Sequence, residues 1–541
     1  MTCRSCAVGY ASDLGTPRPL RRRRTPLVLA AAALVLAIGS AREGVSDDSP
    51  GAPNIVLILA DDLGYADVQC YGGKIPTPHI DRLAAHGMRF TDAHTSSSVC
   101  SPTRYGLLTG RYNWRSKLKR GVLGGLSPRL IEPGRMTVAS LLQGQGYRTA
   151  CFGKWHLGMD WAVKPGTEVS ELNIEPRAQV FNVDYAQPIA NGPNSVGFAE
   201  YFGIAASLDM VPYTFIENER VTALPTEDRD FLMMLGREQG GKTRTGPAAP
   251  GFEAADVLPT LARKSCEFID RCAADAQAGK PFFLYLPLAS PHTPILPTVP
   301  WQGQSGMNPY ADFVMQTDDA IGQVLATLDR RQLAANTLVF LTSDNGCSPQ
   351  AKFEELEAFG HHPSGPLRGH KADIFEGGHR VPFVVRWPGH VAAGAESRQL
   401  VCLVDVLATV AEVLGVALPD EAGEDSISFL PALRGVAGGR DHLVSHSING
   451  SFAIRRGPWK LALCPDSGGW SAPRPGNKQT AGLPRVQLYN LADDLGEQHN
   501  LQDREPAQVR ELTALLERLV AEGRSTPGRK QPNTGPVDIG L

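Results

Sequence analysis

The sequence predicts an α/β protein with a large, mixed but mostly parallel β-sheet between helices. A smaller C-terminal α+β region of antiparallel sheet plus one helix is expected to follow. Three continuous apolar runs, at residues 54–60, 281–286 and 337–342, are typical of strands buried on both faces of a parallel sheet. Helical patterns separate these runs, whereas short strands joined by turns dominate after about residue 437. This order of elements favours a large α/β domain followed by a small α+β one.

The individual elements are predicted from apolar periodicity and from residues that start or stop helices. In chain order they are a strand at 54–60, helices at 77–86 and 137–143, a strand at 147–152, a helix at 259–276, a strand at 281–286, a helix at 310–328, strands at 337–342 and through 385, a helix from 404, strands at 452–455, 459–463 and 486–489, and a helix at 506–522. Residues 160–250 are rich in Pro, Gly and Asn, which predicts loops there.

Length and composition fit a globular protein. The chain has 541 residues, of which 42% are hydrophobic and 20% charged, with a formal net charge of −3. A slightly negative net charge does not indicate a basic surface for nucleic acid, so nucleic acid is not an expected partner. We expect a catalytic α/β domain at 50–437 and an antiparallel-sheet subdomain with a terminal helix at 438–541. The ten cysteines are too scattered for a small-domain disulfide framework, although an exported protein can hold one or two bridges.

The N-terminal residues 1–41 have the pattern of a secretory signal peptide. Four arginines at 21–24 precede an apolar run at 27–38, and the small residues Gly39-Ser40-Ala41 follow. The apolar run is short for a bilayer span. The sequence therefore predicts an exported protein in a periplasmic, secreted or lysosomal-type compartment, without a stable membrane anchor after cleavage.

Polar side chains follow two of the predicted buried strands. Asp61 and Asp62 follow the first strand, and Asp344 and Asn345 follow the strand at 337–342. Open α/β sheets bind ligands at the carboxyl ends of their strands, so we expect these two strand ends to form one oxygen-only metal site. Such ligands, without a Cys–His cluster, favour Ca²⁺ or Mg²⁺ over zinc. For the two adjacent aspartates alone, a polar strand end is the alternative.

A cysteine stands at the start of another predicted helix, in the run Ser98-Val99-Cys100-Ser101-Pro102-Thr103-Arg104. Pro102 suits a first helical turn, where its missing N–H has no partner. Cys100 would then lie at the positive end of the helix, where backbone N–H groups bind anions. Arg104 and Arg111 are expected to add positive charge on the same side. The segment predicts a nucleophile beside an anion site, with a buried core cysteine as the alternative.

Two motifs carry a resemblance to a known family. Cys100-Ser101-Pro102-Thr103-Arg104, followed by Leu107-Leu108-Thr109-Gly110-Arg111, matches the signature C-x-P-x-R and its tail, and Gly153-Lys154-Trp155-His156-Leu157-Gly158 matches a second segment. The chain resembles the type I, formylglycine-dependent sulfatases of the alkaline phosphatase superfamily, in the branch of arylsulfatase A and N-acetylgalactosamine-6-sulfatase. The resemblance implies an alkaline-phosphatase-like fold. It also implies a Cα-formylglycine made from Cys100 by a formylglycine-generating enzyme.

The resemblance also implies roles for other residues. By this resemblance the catalytic residues are Cys100, Arg104, Lys154, His156, His292 and Lys371, the substrate-binding residue is Ser207, and the metal ligands are Asp61, Asp62, Cys100, Asp344 and Asn345. Ca²⁺ is the metal that the family suggests, with Mg²⁺ as the alternative. His379 stands where relatives often have an aliphatic residue, so no role is assigned to it.

The family mechanism implies the following chemistry. The formylglycine is hydrated to a gem-diol, and one hydroxyl, held at the metal and oriented by Arg104, attacks the sulfur atom. The metal, Lys154 and Lys371 stabilise the charge that develops on the sulfuryl oxygens. His292 protonates the departing alcohol, and His156 then accepts a proton so that sulfate is expelled and the aldehyde is regenerated.

Two other functions compete with this interpretation. One is hydrolysis of a phosphomonoester or phosphonate ester within the same superfamily; lysines in place of a second metal favour the less charged sulfate ester. The other is an inactive secreted glycan-binding protein, which would have no need of the complete set of catalytic side chains. The expected substrate is a sulfated sugar or polysaccharide fragment, with aryl sulfates accepted as surrogates.

Overall fold

The computed structural model describes residues 51–170, 172 and 174–540. The predicted signal peptide at 1–41 lies outside the described residues. Among the described residues the strands are β1 (Asn54–Asp61), β2 (Met88–Phe90), β3 (Ala93–His94), β4 (Arg148–Lys154), β5 (Glu200–Ile204), β6 (Ile216–Glu217), β7 (Arg220–Val221), β8 (Glu227–Arg229), β9 (Gly246–Ala248), β10 (Phe282–Pro291), β11 (Thr337–Ser343), β12 (Phe383–Arg386), β13 (Ala395–Ser397), β14 (Val401–Cys402), β15 (His442–His446), β16 (Phe452–Arg456), β17 (Trp459–Ala462) and β18 (Gln487–Asn490).

The helices of the same part of the chain are α1 (Pro78–Ala85), α2 (Cys100–Thr109), α3 (Val138–Gly144), α4 (Val257–Gln277), α5 (Pro309–Arg330), α6 (Phe353–Glu357), α7 (Glu376–His379), α8 (Val406–Val413), α9 (Leu430–Leu433) and α10 (Pro506–Glu522). Most of the predicted helices agree with these bounds to within a few residues. The helix expected from Pro102 begins at Cys100 instead, so the proline is still in the first turn.

The main sheet contains ten of the described strands, in the order β13-β2-β12-β11-β1-β10-β4-β5-β6-β7. Its central strands β11, β1, β10, β4 and β5 are parallel. Strand β12 runs antiparallel to β11 on one side, and β6 runs antiparallel to β5 on the other. The sheet is therefore mixed but mostly parallel, which confirms the predicted fold class.

Alternate residues of β1 face opposite sides of the sheet, and both sides are apolar. Val56 and Ile58 belong to the core that contains α1, α4 and α5. Ile55 and Leu57 belong to the core that contains α2, α3 and α8. Because successive side chains of a strand point to opposite faces, a strand covered by helices on both sides must be apolar throughout. This is why the three apolar runs predicted the central strands.

The prediction of loops over residues 160–250 missed part of the main sheet. Strand β5 pairs with β4 inside this region, and its residues from Tyr201 to Ile204 are buried. The strand is short and includes Gly203, so it gives no long apolar signal. A Cβ atom at Gly203 would lie 1.8 Å from the carbonyl oxygen of Gly153 in the neighbouring strand. Glycine is required because the two backbones approach so closely.

A separate four-stranded antiparallel sheet, in the order β15-β16-β17-β18, forms within the described C-terminal region. Leu512, Leu516 and Leu519 of α10 are buried in one apolar cluster with side chains of this sheet. The small α+β region was predicted, but its first strand, β15, was not. The described residues between 51 and 540 form one compact unit, and the predicted boundary between residues 437 and 438 stays a prediction.

Two sequence-based expectations concern cysteines and membrane association. The described cysteines, at positions 70, 100, 151, 266, 272, 347, 402 and 464, are all free. None of the helices in the described part of the chain is both long enough and apolar enough to cross a membrane.

His446 ends β15 at the contact between the small sheet and the segment that precedes α2. Its carbonyl oxygen accepts a hydrogen bond of 3.0 Å from the N–H of Ser98. Its buried ring lies 3.2 Å from the side-chain nitrogen of Asn113 and packs edge-on against Phe452. Burial lowers the pKa of His446 to about 4, because a charged imidazole would lose its hydration there.

We expect His446 to make the protein less stable in acid. The pKa of the folded state lies below that of the unfolded state, so its contribution is complete above pH 6.5 and is lost as the pH falls through about 4. At about 1.4 kcal/mol per pKa unit, the loss is about 3 kcal/mol. Urea unfolding at pH 7 and pH 4.5 should show a smaller pH dependence for His446→Asn than for the native protein. Equal pH dependence in the two proteins would contradict this account.

Candidate active site

Four polar residues meet at the carboxyl edge of the main sheet. Asp61 ends β1, Asp62 follows it, and Asp344 and Asn345 follow β11, which pairs in parallel with β1. The N–H of Asp62 donates a 3.2 Å hydrogen bond to Asp344 Oδ1, and Asn345 Nδ2 donates a 2.7 Å bond to Asp62 Oδ1. All four side chains are buried. The structure thus brings together the two strand ends from which the sequence predicted one site.

Two lysines from distant parts of the chain reach these carboxylates. Lys154 ends β4, and its Nζ lies 2.6 Å from Asp61 Oδ2. Lys371 lies in the loop between α6 and α7, and its Nζ lies 2.7 Å from Asp62 Oδ2. Burying a carboxylate costs free energy unless it is paired, so these lysines offset the burial of the acids.

Arg104 provides a third cation from the first turns of α2. Its Nη2 donates to Asp344 Oδ2 at 2.7 Å, and its Nε donates to the same oxygen at 3.1 Å. Its Nη1 donates to the backbone oxygen of Lys154 at 2.9 Å. The guanidinium group therefore joins the start of α2 to the ends of β4 and β11.

The charges in the cluster shift the pKa values of its acids in opposite directions. Burial raises the pKa of Asp61, but Lys154, His292 and Arg104 outweigh this effect and hold that pKa well below its ordinary value. For Asp344, burial and the neighbouring Asp61 raise the pKa to about 7. Carboxylates packed this closely repel one another, and a divalent cation between them would relieve that repulsion.

The donor set of this cluster fits a hard metal ion. Asp61 Oδ1 and Asn345 Oδ1 are buried and have no hydrogen-bond partner within the described chain. Oxygens of Asp61 and Asp62 and a ring nitrogen of His292 lie within 4.8 Å of one another, close enough to hold one ion. Buried oxygens without a partner are unfavourable, and a cation would satisfy them. Carboxylate and amide oxygens suit Ca²⁺ or Mg²⁺ better than zinc.

Cys100 is the first residue of α2, a helix whose residues are all buried. Burial raises the pKa of its thiol, while Lys154 and Lys371 lower it and Asp344 raises it. The thiol therefore lies within the field of the same charges that surround the carboxylates. At the helix start, free backbone N–H groups add further positive potential.

Arg111 does not belong to this site, contrary to the sequence-based expectation. Its Nη1 lies 3.1 Å from Glu132 and its Nε lies 3.2 Å from Glu424. Helix α2 ends at Thr109, and Gly110 adopts a left-handed conformation with φ 65°. The chain therefore turns away before Arg111, and only Arg104 reaches the carboxylates.

The two predicted catalytic histidines bind backbone carbonyl oxygens through different ring nitrogens. His156 Nε2 donates to the carbonyl oxygen of Leu123 at 2.9 Å; since a carbonyl only accepts, Nδ1 carries no proton and has no partner among the described residues. Burial, followed by Lys154 and Arg104, lowers the pKa of His156 well below its ordinary value. His292 Nδ1 donates to the carbonyl oxygen of Thr293 at 2.6 Å, and its Nε2 lies 3.7 Å from Asp62 Oδ2.

Backbone strain coincides with the predicted site residues. Asp62 has φ 64°, His156 has φ 55°, and Ala372, next to Lys371, has φ 80°. These left-handed conformations are unfavourable for residues with a side chain and often occur at functional sites. Beside Asn345, a Cβ atom on Gly346 would lie 1.9 Å from a backbone oxygen, so the close approach requires glycine there.

Ser207 follows β5, beside the strand end that carries His156. The N–H of His156 donates to the carbonyl oxygen of Ala205 at 2.9 Å. The hydroxyl of Ser207 is buried and has no hydrogen-bond partner among the described residues. Such a hydroxyl is free to bind a ligand, because it is not used to stabilise the fold.

His379 lies in a different buried cluster. Its Nδ1 is 3.0 Å from His94 Nδ1, and its Nε2 is 3.1 Å from Lys460 Nζ. Lys460 also lies 3.0 Å from Glu376 and 2.8 Å from Glu497. Although His94, Glu376 and His379 are close enough to hold a metal, the ammonium group of Lys460 already pairs with Glu376. The cluster links the small sheet to α7 and is separate from the active site.

Sequence reasoning missed residues that hold the site in place. Tyr310 donates to Asp67 Oδ2 at 2.5 Å and lies 3.2 Å from the backbone oxygen of Asp62. Asp67 also lies 2.8 Å from His361 Nε2 and accepts a 2.6 Å bond from the N–H of Gly64. Asp67 therefore supports the strained turn after β1. In the sequence, Asp67 was indicated only by its place five residues after Asp62.

Comparisons with known proteins agree with this geometry. A family model described as Sulfatase matches residues 53–416. The chain is 36% identical over 505 residues to an N-acetylgalactosamine-6-O-sulfatase of Bacteroides thetaiotaomicron, with 86% of this chain and 92% of that protein covered. It is 33% identical to arylsulfatase A of Bos taurus, with 85% of each covered. A solved structure reported with the metabolism of multiple glycosaminoglycans by B. thetaiotaomicron has a TM-score of 0.74 and 33% identity, covering 87% of this chain and 99% of that one.

Proposed function

This chain belongs to the sulfatase family and is a sulfuric ester hydrolase, and we propose that it releases inorganic sulfate from a sulfated sugar or polysaccharide fragment. The observation that carries the proposal is the position of Cys100, at a helix start within the field of Lys154 and Lys371. The sugar substrate is supported by the relative named N-acetylgalactosamine-6-O-sulfatase, which matches most of both chains. Aryl sulfates should serve as surrogate substrates.

We infer that Cys100 is the precursor of a Cα-formylglycine. The inference is supported by the C-x-P-x-R pattern from Cys100 to Arg104 and by family membership. A formylglycine-generating enzyme is then a partner during maturation. In its hydrated form the formylglycine supplies the nucleophile, a role that a buried thiol with a raised pKa does not fill.

The proposed metal ligands are Asp61, Asp62, Asp344, Asn345 and the group derived from Cys100. The ion we propose is Ca²⁺, with Mg²⁺ as the alternative, because the fixed donors are oxygens. The unpartnered oxygens of Asp61 and Asn345 support this assignment. When bound, the ion supplies positive charge that stabilises the charge developing on the ester oxygens.

The remaining cations and Ser207 bind and orient the ester. Lys154 and Lys371 pair with carboxylates in this structure. Once a divalent ion neutralises these acids, the two ammonium groups can bind the sulfuryl oxygens instead. Arg104, held against Asp344 at 2.7 Å, keeps the start of α2 in position for attack on sulfur. The unpartnered hydroxyl of Ser207 can donate to a sulfuryl oxygen.

The two histidines are assigned opposite proton transfers. His292 uses Nδ1 to bind the carbonyl oxygen of Thr293, so its Nε2 is the nitrogen that can donate a proton to the departing alcohol. His156 is kept neutral, and its unpartnered Nδ1 can accept a proton when sulfate is released. Hydrogen bonds to carbonyl oxygens fix the orientation of both rings.

We propose that the protein is exported, on the basis of the signal-peptide pattern in residues 1–41.

The direct test of the function is release of sulfate from 6-sulfated N-acetylgalactosamine and from other sulfated saccharides by the mature protein. Failure to release sulfate from any of them, with a nitrophenyl sulfate still hydrolysed, would contradict the sugar assignment alone.

The modification of Cys100 gives the first prediction from the proposed function. Protein produced together with a formylglycine-generating enzyme should yield a Cys100 peptide with the mass of the aldehyde. Cys100→Ala should abolish turnover and leave thermal unfolding nearly unchanged, whereas Cys70→Ser, at a half-buried free cysteine, should keep full activity. Active protein that contains only unmodified Cys100 would exclude the mechanism.

The metal assignment gives the second prediction. Asp62→Ala and Asp344→Ala should each lose a stoichiometric divalent ion and reduce turnover roughly 10²–10³-fold, as expected for loss of a major electrostatic stabiliser. Elemental analysis of the purified variants measures the ion. Asp420→Ala is the matched control, because Asp420 pairs with Arg524 outside the site. Stoichiometric zinc in the native protein would contradict the oxygen-only site.

The histidine roles give the third prediction. A sugar alkoxide is a strong base, so its departure needs a proton, whereas nitrophenolate is already a stable leaving group. His292→Ala should therefore reduce turnover of a sugar sulfate by about 10²–10⁴-fold and that of nitrophenyl sulfate much less. His156→Ala should slow turnover of both substrates. With a substrate that carries radioactive sulfate, this variant should leave the label attached to the protein. The exposed His86 provides the control variant His86→Ala.

The two histidine variants can also contradict the assignment. An equal loss on both substrates for His292→Ala would show that this residue does not protonate the leaving group. If His156→Ala retained no radioactive sulfate on the protein, His156 would have no specific role in sulfate release.

A further inference from the structure

An aromatic side chain from the C-terminal region reaches the active site. Trp470 lies in the loop between β17 and β18, and its ring centroid is 5.9 Å from the Nζ of Lys371. The same Nζ atom lies 2.7 Å from Asp62 Oδ2. Trp470 is only partly buried. Part of an aromatic surface is therefore exposed to solvent beside the charged groups that are proposed to hold the sulfate ester.

A buried carboxylate fixes the position of this loop. Asp373 Oδ1 accepts hydrogen bonds from the N–H groups of Trp470, at 2.7 Å, and of Ser471, at 3.0 Å. Its Oδ2 accepts a 3.0 Å bond from the N–H of His370. Asp373 is fully buried, two residues after Lys371. One side chain thus ties the segment that carries the lysine to the loop that carries the tryptophan.

Backbone contacts strengthen this attachment. The N–H of Ile374 donates to the carbonyl oxygen of Ser467 at 2.7 Å. A Cβ atom on Gly469 would lie 2.4 Å from the carbonyl oxygen of Ala372, so only glycine permits the close approach. The loop is therefore packed directly against the segment beside Lys371, and these contacts fix the backbone position of Trp470 there.

Support of Lys371 is an incomplete explanation for this tryptophan. The distance of 5.9 Å is near the limit of about 6 Å for a cation–π interaction. Asp62 already neutralises the lysine at a much shorter distance.

We propose that Trp470 is a specificity residue on which the pyranose ring of the substrate stacks while its sulfate group is held by the lysines. The proposal rests on the sugar-sulfate function proposed above. One face of a pyranose ring is lined by C–H groups, and a rigid indole offers it apolar contact at little conformational cost. Ligand sites commonly combine such an aromatic surface with a few fixed polar groups.

The test compares binding of the sugar with binding of sulfate. We would measure kinetics with 6-sulfated N-acetylgalactosamine, and inhibition by N-acetylgalactosamine and by inorganic sulfate separately, for Trp470→Ala, Trp470→Phe and the native enzyme. Trp470→Ala should weaken inhibition by the sugar about tenfold and raise KM similarly, in line with loss of one aromatic contact. Inhibition by inorganic sulfate should not change. Trp470→Phe should retain most of the sugar binding, because it keeps a flat ring.

Trp459→Ala is the matched control. Trp459 is also partly buried and begins β17, the strand before the loop that carries Trp470, but it lines a different cavity beside Arg456 and Glu511. This control should leave both inhibition constants unchanged. Urea unfolding of each variant checks that the fold persists.

The outcomes separate the two proposals. Unchanged inhibition of Trp470→Ala by the sugar would overturn the stacking proposal. An equal weakening of inhibition by sulfate would also overturn it, because the ring would then act on Lys371. If the native enzyme released no sulfate from saccharides and the sugar did not inhibit it, the proposed function itself would fail.

Discussion

The structure of the site depends on the burial of three carboxylates at one edge of a sheet. Asp61, Asp62 and Asp344 are each 1% exposed or less, and close carboxylates repel one another. Such a cluster is tolerated only if cations approach it, and here they come from separate parts of the chain: Lys154 from the end of β4, Arg104 from α2 and Lys371 from the loop before α7. The acid cluster therefore determines how these elements must be arranged around the sheet.

The parts of the fold that were predictable are those with a strong local signal. Strands β1, β10 and β11 are covered on both faces and are therefore apolar throughout, and α4, α5 and α10 are long enough to show a clear helical period. Strands β2, β5 and β13 have five residues or fewer, and their place in the sheet depends on pairing with distant partners. Pairing of this kind leaves no pattern within the segment itself.

The site could be predicted in two ways, from the strand-end pattern and from the family resemblance, and each identified different residues. The polar ends of β1 and β11 indicated by themselves that Asp61 and Asp344 would meet, because the carboxyl ends of parallel strands share one edge. The roles of Lys154 and Lys371 came only from the resemblance to a family. Neither approach found Trp470, which lies in a loop whose position depends on hydrogen bonds to Asp373. Arg111, by contrast, was wrongly expected at the site, because one left-handed glycine turns the chain away before it.

The charges that are proposed to bind the ester also affect the pKa of a histidine of the proposed mechanism. Lys154 and Arg104, together with burial, lower the pKa of His156, so a ring beside an anion site remains neutral. Its hydrogen bond to Leu123 places the proton on Nε2 and leaves Nδ1 as the base. His292 differs in its contacts, since its Nδ1 donates to the carbonyl oxygen of Thr293 and its Nε2 lies 3.7 Å from the carboxylate of Asp62. The two rings thus use different nitrogens in their hydrogen bonds to carbonyl oxygens, and the different proton transfers proposed for them follow from this difference.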